Sequence, residues 1–379
     1  MAAAGDTPPD GELLKTPLYD LHVAHGARIV PFAGYAMPVQ YPDGIIAEHK
    51  HTRTAAGLFD VSHMGQAFLR GDDVLAAFET LVPGDIAGLG TGRTRYTLLL
   101  NDKGGIRDDL MATRISEDGA DALFLVVNAA CKDADFAHIS GALAGRAELE
   151  ILPDRALIAL QGPQAEAVLA EHAPACRDLV FLSGADMTLG GADAFVTRSG
   201  YTGEDGYEIS MSGDAASAFA ATLLSDARVA PAGLGARDSL RLEAGLCLYG
   251  HDIDTDTTPV EAGLAWTVGK RRREEGGFPG ADLILGQLAD GAPRKRVGLL
   301  PEGRAPVREG AVIRDANGNG IGAVTSGGFA PSLERPIAMG YVATALSAPG
   351  TSVEIEIRNR TVAAEVAAIP FVEPGYKRA

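Results

Sequence analysis

Short apolar runs separated by turn residues mark most of the chain, and one pair of runs predicts a β-hairpin. Residues 96–100 and 110–115 are expected to be strands, and the Asn, Asp and Gly residues at 101–105 favour a tight turn between them. Neighbouring side chains on a strand point to opposite faces, so Asp108 and Asp109 cannot both enter one pocket. One is expected to point inward, where it needs a cationic or hydrogen-bonding partner. The alternative is two aspartates on a solvated sheet edge.

Apolar residues at helical spacing predict helices over residues 46–56, 132–143 and 233–245. The first contains Glu-His-Lys-His at 48–51, a run that lacks a third convergent metal ligand. A charged helix face is therefore the preferred interpretation of that run.

Two arginines of the third predicted helix, Arg237 and Arg241, lie one turn apart on the same face. They are spaced to pair with Asp238 or Glu243, so a salt-bridged helix surface is the alternative to ligand binding. His63 stands alone beside a predicted strand, and such a histidine is expected to be structural rather than a catalytic base.

The order of the elements predicts an α+β fold followed by a barrel. Strand, helix, hairpin, strand and helix follow one another over residues 59–143, which suits an α+β unit with its own core. Past a boundary near residues 291–295, six short strands separated by turns predict a small β-barrel. These strands are expected at residues 296–300, 311–314, 320–326, 337–342, 352–358 and 360–367.

A glycine-rich acidic segment, Gly-Tyr-Thr-Gly-Glu-Asp-Gly at 200–206, precedes a predicted strand that carries Glu208. The glycines permit unusual turns and close approach of a ligand. The segment is not a phosphate loop, because it lacks Gly-Lys-Ser/Thr and its acidic residues would repel phosphate. An acidic loop suits instead a ligand that donates hydrogen bonds, such as an amino-pyrimidine ring.

Length and charge limit the classes of function. A chain of 379 residues should hold two or three domains. A net charge of -17 and a pI near 4.9 argue against a nucleic-acid partner and against an anionic membrane surface. The three cysteines are odd in number and far apart, which makes a disulfide framework improbable.

Residues 1–15 lack both the apolar core of a secretory signal and the Arg-rich, acid-poor character of a transit peptide. No apolar run reaches the ~18 residues that span a bilayer. A cytoplasmic location is therefore expected. The Lys-Arg-Arg-Arg block at 270–273 is either a solvated face or a docking site for an acidic partner.

Taken together, several motifs resemble the glycine cleavage T-protein family, whose members are aminomethyltransferases. Each motif alone is weak, but their order and spacing over nearly the whole chain are specific. The matching runs are Thr-Pro-Leu-Tyr at 16–19, Phe-Asp-Val-Ser-His-Met at 59–64, Gly-Gly-Ile-Arg-Asp-Asp-Leu at 104–110, the glycine-rich segment at 200–206, Ala-Arg-Asp-Ser-Leu-Arg-Leu-Glu-Ala-Gly at 236–245, and Thr-Ser-Gly at 325–327.

The resemblance implies a three-domain α+β cloverleaf ring with tetrahydrofolate in its central cavity. Residues 1–65 and 152–290 would form a discontinuous first domain, residues 66–151 an inserted second domain, and residues 291–379 the barrel. The implied reaction starts from an aminomethyl group on the lipoyl arm of the H-protein. Its one-carbon unit passes to tetrahydrofolate, which gives 5,10-methylenetetrahydrofolate, ammonia and the dihydrolipoyl carrier.

The resemblance assigns the catalytic role to Asp108, placed beside N5 and N10 of the folate. A carboxylate there would stabilise the cationic, iminium-like carbon during transfer. An aspartate with an ordinary pKa is ionised at neutral pH, so charge stabilisation is expected rather than proton transfer. Asp109, on the opposite face, is expected to matter less. Arg107 departs from the apolar residue common at this position in the family.

The pterin ring offers an N3–H and a 2-amino group side by side, and one carboxylate can accept both hydrogen bonds. Glu208 matches the glutamate that does so in the family. The run 269–273 is the implied surface for the carrier protein, and no metal is implied. The resemblance also implies folate-binding roles for Arg237, Tyr376, Met64, Tyr249 and Arg296.

Two rival functions share the same fold. One is a folate-dependent demethylase or the folate domain of a sarcosine-type dehydrogenase, although the latter carries a flavin domain that this sequence lacks. The other is the non-catalytic folate-binding relative that assists iron-sulfur cluster assembly. That group is marked by Lys-Gly-Cys-Tyr, which is absent here.

Overall fold

A computed structural model describes residues 11–357 and 360–378. The expectations for residues 1–10 and for Arg358 lie outside the described residues. Within the described ranges, none of the helices has the length and apolar character needed to cross a membrane.

The described chain contains nine α-helices and nineteen strands, and no α-helix lies among the last six strands. Those before residue 152 are α1 (Tyr19–Ala24), β1 (Arg28–Phe32), β2 (Tyr35–Gln40), α2 (Ile45–Thr54), β3 (Ala56–Asp60), β4 (Gly65–Arg70), α3 (Val74–Glu79), β5 (Thr94–Leu100), β6 (Ile106–Glu117), β7 (Ala120–Val127), α4 (Lys132–Ala142) and β8 (Glu148–Ile151). Those up to residue 290 are β9 (Arg155–Gln161), α5 (Ala165–Leu169), β10 (Ser183–Leu189), β11 (Ala192–Arg198), β12 (Gly206–Ser212), α6 (Gly213–Leu224), β13 (Val229–Pro231), α7 (Leu234–Glu243), α8 (Lys270–Glu275) and α9 (Ala281–Asp290). The remaining strands are β14 (Arg294–Pro301), β15 (Val312–Arg314), β16 (Gly320–Ala330), β17 (Arg335–Ala343), β18 (Ser352–Ile357) and β19 (Arg360–Ala367).

The first sheet has six strands in the order β10-β11-β12-β9-β3-β13, and only the β13–β3 pair is parallel. Its central strand β9 is apolar on both faces because both faces are covered, one by α5 and α6 and the other by α7 and by β7 of the second sheet. The N-terminal segment is held against this sheet by Asp60, which accepts from Thr16 Oγ1 at 2.6 Å and meets His22 Nε2 at 2.8 Å.

The second sheet has five strands in the order β5-β6-β7-β4-β8, and β6 is an interior strand. Leu110 and Ala112 of β6 lie in the core beneath α3 and α4. Met111, on the other face, packs with Phe59 and Phe195 of the first unit. Because β6 is paired on both sides, the interpretation of its aspartates as residues of a solvated edge is wrong.

The third sheet is a closed barrel in the order β14-β17-β16-β15-β18-β19, which confirms the six predicted strands as a barrel. The α+β class, the inserted second unit and the barrel agree with the expected fold. The first sheet takes β3 from before the second sheet and β9 to β13 from after it, while the exact domain boundaries stay a prediction.

A buried charge network joins the barrel to the first unit. Asp252 is fully buried and meets Arg241 Nη1 at 2.8 Å, and it accepts from Ser326 Oγ at 2.8 Å and from Thr325 Oγ1. Tyr341 of β17 donates to the Asp252 carbonyl at 2.7 Å. The Thr-Ser-Gly motif of the barrel therefore binds the turn that follows α7.

Two expectations about charged helix surfaces are wrong. Glu48 and His49 of α2 are buried: Glu48 accepts from the backbone of Tyr41 and Gly233, and His49 lies 2.7 Å from Ser239 Oγ. Arg241 of α7 pairs with Asp238, as its spacing predicts, but it is buried and does not lie on a helix surface. Both helices lie between other elements, so charges that helical periodicity assigns to solvent are paired inside the protein.

Asp252→Asn is expected to lower the free energy of unfolding by about 3 kcal/mol, because Arg241 would keep a buried charge with one fewer partner. Urea denaturation measures this change. Asp256→Asn, at an exposed position four residues away, is the matched control and should lie within about 0.5 kcal/mol of the parent protein. Equal stability of the two variants would contradict the buried network as a stabilising link.

Candidate active site

The two aspartates of β6 face different surroundings. Asp108 is fully buried on the face that packs against α4. Asp109 is half-buried on the face that carries Met111, and it forms a hydrogen bond with Tyr96 of β5. Asp109 therefore faces the region between the first two sheets, and Asp108 does not.

Asn128, directly after β7, connects the two carboxyl groups. Its side-chain nitrogen donates to Asp108 Oδ1 and to Asp109 Oδ1, at 2.9 Å each. Its backbone N–H donates to Asp108 Oδ2 at 3.0 Å. One amide group thus fixes both carboxyl groups, although they lie on opposite faces of the sheet.

Both aspartates bind protons more tightly than expected. Burial raises the pKa of Asp108 to about 8, and the nearby Asp135 of α4 adds to the shift. Burial and the charge of Asp108 raise the pKa of Asp109 to about 7. Burial next to a second carboxyl group favours the neutral form of Asp108, so the ordinary pKa on which its expected ionisation depended is not met, and its catalytic role stays a prediction.

One group of side chains in the described part of the chain has the spacing of metal ligands: Asp108, Cys131 and Asp135, with ligand atoms within 4.8 Å of one another. A metal ion needs deprotonated ligands. Burial and the nearby carboxyl groups raise the pKa of the Cys131 thiol, and Asp108 and Asp135 hydrogen-bond to each other. These groups favour protons over a cation, and the absence of a metal stays a prediction.

The glycine-rich segment contacts protein where a ligand was expected. A Cβ on Gly206 would lie 2.4 Å from the carbonyl oxygen of Leu160, so the glycine permits close approach of β9. Glu204 pairs with Arg53 at 2.9 Å, and Asp205 pairs with Arg198. The acidic residues of the segment are therefore neutralised within the chain.

Glu208, unlike Glu204 and Asp205, is not paired with an arginine in the described structure. It lies on the face of β12 that looks toward the second sheet, because its neighbour in β9, Ala159, packs in the cluster that contains Met111. Ser199 Oγ donates to one carboxylate oxygen, Oε2, at 2.7 Å. Asp109 and Glu208 therefore stand on the facing sides of two sheets.

Arg237 of α7 stands near Glu208. Its guanidinium lies 4.7 Å from the centre of the Tyr201 ring, and Nη1 is buried without a hydrogen-bond partner among the described residues. Burial lowers the pKa of Arg237, and the charge of Glu208 opposes this shift. The interpretation of Arg237 as part of a salt-bridged surface is wrong, because no salt bridge involves it in residues 11–357 and 360–378.

The C-terminal tail folds back over the glycine-rich segment, since Gly375 N donates to the Gly203 carbonyl at 2.8 Å. Tyr376 stacks on Phe181 with ring centres 3.9 Å apart and an angle of 8° between the planes. The tail thus ends beside Glu204 and Arg53, both of which influence the raised pKa of Tyr376, where burial is the largest cause.

Three expected ligand contacts have the following positions. Met64 is half-buried in the apolar cluster between the first two sheets. Tyr249 donates from its hydroxyl to the Ile106 carbonyl at 3.2 Å, which places it beside the hairpin. Arg296 is buried and donates to the carbonyls of Ala262 and Gly245, at 2.9 Å each. The ligand-binding roles of all three stay predictions.

The basic block at 270–273 is mostly paired within the chain. Arg271 contacts Glu79 and Asp85, and Arg272 is buried and donates to the Glu79 carbonyl at 2.8 Å. Arg273 donates to backbone carbonyls. Lys270 is exposed, and it makes no ion pair with any residue that the structure describes.

Two family models match the chain. The GCVT N-terminal domain matches residues 18–272, and the glycine cleavage T-protein C-terminal barrel domain matches residues 294–373. The chain belongs to the glycine cleavage T-protein family.

Relatives and a solved structure agree with the T-protein family. The chain is 46% identical over 385 residues to an "Aminomethyltransferase, mitochondrial" of Dictyostelium discoideum, covering 97% of this chain and 94% of the relative. It is 47% identical to the protein of the same name from Pisum sativum, covering 97% and 91%. A crystal structure of the glycine cleavage system aminomethyltransferase T from Bartonella henselae superposes with a TM-score of 0.91 at 47% identity, covering 97% of this chain and all of that one. The cytoplasmic location expected from the sequence stays a prediction.

Several residues near the T-protein hairpin were not singled out from sequence. Asn128 follows the strand β7 directly, which is a recurrent place for functional polar residues. Tyr96 and Tyr201 carry hydroxyl groups on predicted strand or loop positions, but nothing in the pattern brings them together. Asp135 lies in the first turn of α4, where acidic residues are common for helix-dipole reasons, so its sequence signal is weak.

Asp108→Asn is expected to flatten the pH dependence of stability. Above pH 4 the unfolded chain releases the Asp108 proton, while the folded chain keeps it up to about pH 8, so folding loses stability as pH rises through this window. The variant lacks this titrating group, so its free energy of unfolding should fall less steeply with pH. The difference between the two slopes is expected to be up to about 1.4 kcal/mol per pH unit. Urea denaturation between about pH 5 and pH 7 measures the slopes.

Asp102→Asn, in the exposed turn of the same hairpin, is the control for this comparison. It should keep the slope of the parent protein. A slope in Asp108→Asn equal to that of the control would show that the Asp108 pKa is not raised.

Proposed function

We propose that this aminomethyltransferase takes the aminomethyl group from the lipoyl arm of the H-protein and passes its one-carbon unit to tetrahydrofolate. The products are 5,10-methylenetetrahydrofolate, ammonia and the dihydrolipoyl carrier. The observation that carries the proposal is the placement of Asp109 and Glu208 on the facing sides of two sheets, with Tyr201 and Arg237 between them.

Glu208 is proposed to hold the pterin. Its carboxylate can accept from N3–H and from the 2-amino group, and the Ser199 hydroxyl fixes its orientation. Glu204 and Asp205 are already paired with arginines, so Glu208 is the acidic group of this region left to accept from a ligand. Arg237 can donate from Nη1 to the pterin O4.

Asp109 is proposed to stabilise the transferring carbon, in place of the role given to Asp108 from sequence. Asp108 is fully buried and faces α4, whereas Asp109 is partly exposed on the face that meets Glu208. A pKa raised by burial to about 7 lets Asp109 ionise when a cationic carbon arrives beside it. Asp108 would then act through Asn128 as a positioning residue.

The remaining walls of the folate site are proposed from the tail and the hairpin. Tyr376 and Met64 supply aromatic and apolar surface, and Tyr249 closes the side next to Ile106. Arg296 is proposed to reach the glutamyl end of the folate; in the described structure it donates to two backbone carbonyls and to the sulfur of Met339.

The lipoyl carrier is proposed to dock beside the start of α8. Trp266 is 59% exposed and stacks on Tyr96, which hydrogen-bonds to Asp109, so this surface is continuous with the reacting centre. Lys270 lies next to it with a free ammonium group among the described residues. The arginines at 271–273 support this surface through their internal contacts.

Asp109→Asn is expected to lower kcat by about a hundredfold, because a neutral amide no longer stabilises the cationic carbon. Asp108→Asn should keep kcat within about tenfold of the parent enzyme, since it acts only by positioning. The assay supplies tetrahydrofolate and aminomethylated H-protein, and it measures methylenetetrahydrofolate and ammonia. The opposite ranking of the two variants would return the role to Asp108, and an inactive parent protein would overturn the proposed reaction.

Glu208→Ala is expected to weaken tetrahydrofolate binding by roughly a hundredfold or more, since two charge-assisted hydrogen bonds of about 1.5–3 kcal/mol each are lost. Isothermal titration calorimetry measures the dissociation constant. Glu365→Gln, on the exposed face of the barrel, serves as the control and should bind as the parent does. An unchanged dissociation constant in Glu208→Ala would remove Glu208 from the pterin site.

A further inference from the structure

His63 is buried in the connection between β3 and β4, but one of its ring nitrogens has no partner. Its ring packs edge-on against Phe32, with centres 5.5 Å apart, and at 6.3 Å from Tyr35. Nδ1 is buried and makes no hydrogen bond to any of the described residues. A structural histidine would be expected to have both nitrogens satisfied, so the sequence-based interpretation of His63 is incomplete.

His63 is neutral in this environment. Burial lowers its pKa to about 4; Asp60 opposes the shift, while the charges of Arg237 and Lys132 add to it. A neutral imidazole has one nitrogen that donates and one that accepts. The intrinsically favoured tautomer of a neutral histidine carries its proton on Nε2, which leaves the buried Nδ1 of His63 as an acceptor.

A second buried polar atom without a partner among the described residues, Nη1 of Arg237, lies in the same region. Arg237 interacts electrostatically with Glu208 and also with His63, so the three side chains follow one another as Glu208, Arg237 and His63. Two buried polar atoms without partners, on side chains whose charges interact, are costly without a ligand, which indicates that a polar ligand satisfies both.

This sequence of side chains matches the edge of a reduced pterin. Along that edge, the 2-amino group and N3–H donate, O4 accepts, and N5–H donates in the tetrahydro form. Glu208 can accept from the first two groups and Arg237 can donate to O4. His63 Nδ1 then falls beside N5. In the fully oxidised pterin N5 carries no hydrogen, so Nδ1 could bond to it only in the less favoured tautomer, which carries the ring proton on Nδ1.

We propose that His63 is a specificity-determining residue that accepts a hydrogen bond from N5–H and thereby favours the tetrahydro form over oxidised folate. This inference rests on the proposed function, since it assigns a further contact in the same folate site. It also gives the neutral imidazole a role, because a protonated His63 could not accept.

His63→Phe is expected to weaken tetrahydrofolate binding by about tenfold and to leave the binding of folic acid unchanged. Calorimetry under anaerobic, reducing conditions measures both dissociation constants. His63→Asn, whose side-chain oxygen can take the place of Nδ1, should restore most of the preference for the reduced form. His25→Phe, at an exposed position directly after α1, is the control and should bind both ligands as the parent does.

If the parent protein binds tetrahydrofolate and His63→Phe changes the dissociation constants of both ligands equally, or changes neither, the proposed role of His63 is overturned. A parent protein that bound neither ligand would instead overturn the folate site itself. Thermal unfolding checks that each variant is folded. If His63→Phe did not fold, the same comparison with His63→Ala would decide the matter by the same two outcomes.

Discussion

The alternation of side chains along β6 is the constraint on which the site depends. Asp108 and Asp109 are adjacent in sequence, yet the pleat sends one toward α4 and the other toward the first unit. Asn128 then holds both carboxyl groups with one amide. A shift of register by one residue would exchange the faces of the two carboxyl groups, so that Asp108 in place of Asp109 would face the first unit.

Buried charges hold the units together because each is met by donors from distant segments. Asp252 receives donors from α7 and from the barrel, and Glu243 meets His49, Arg53 and the backbone of Ser332. A carboxylate buried in this way is costly unless every partner stays in position, so these residues define where the units meet. The site between the first two sheets is built on that rigid frame.

The charges near the site are divided between paired and available groups. Glu204 and Asp205 are neutralised by arginines, which leaves Glu208 to accept from a ligand. Asp109 and His63 have pKa values displaced by burial toward their neutral forms. In the proposed reaction positive charge develops on the substrate, and a neutral His63 does not repel it.

The sequence by itself determined the fold class, the barrel, the hairpin and the family, because these follow from periodicity, turn residues and motifs that are local along the chain. It also marked Glu208 and the Asp pair as candidates. The tertiary structure alone decided which aspartate faces the first unit, which acidic residues of the 200–206 segment are already paired, and that Glu48, His49 and Arg241 are buried. These properties depend on contacts between residues far apart in sequence, and a local pattern contains no information about the elements that cover each face.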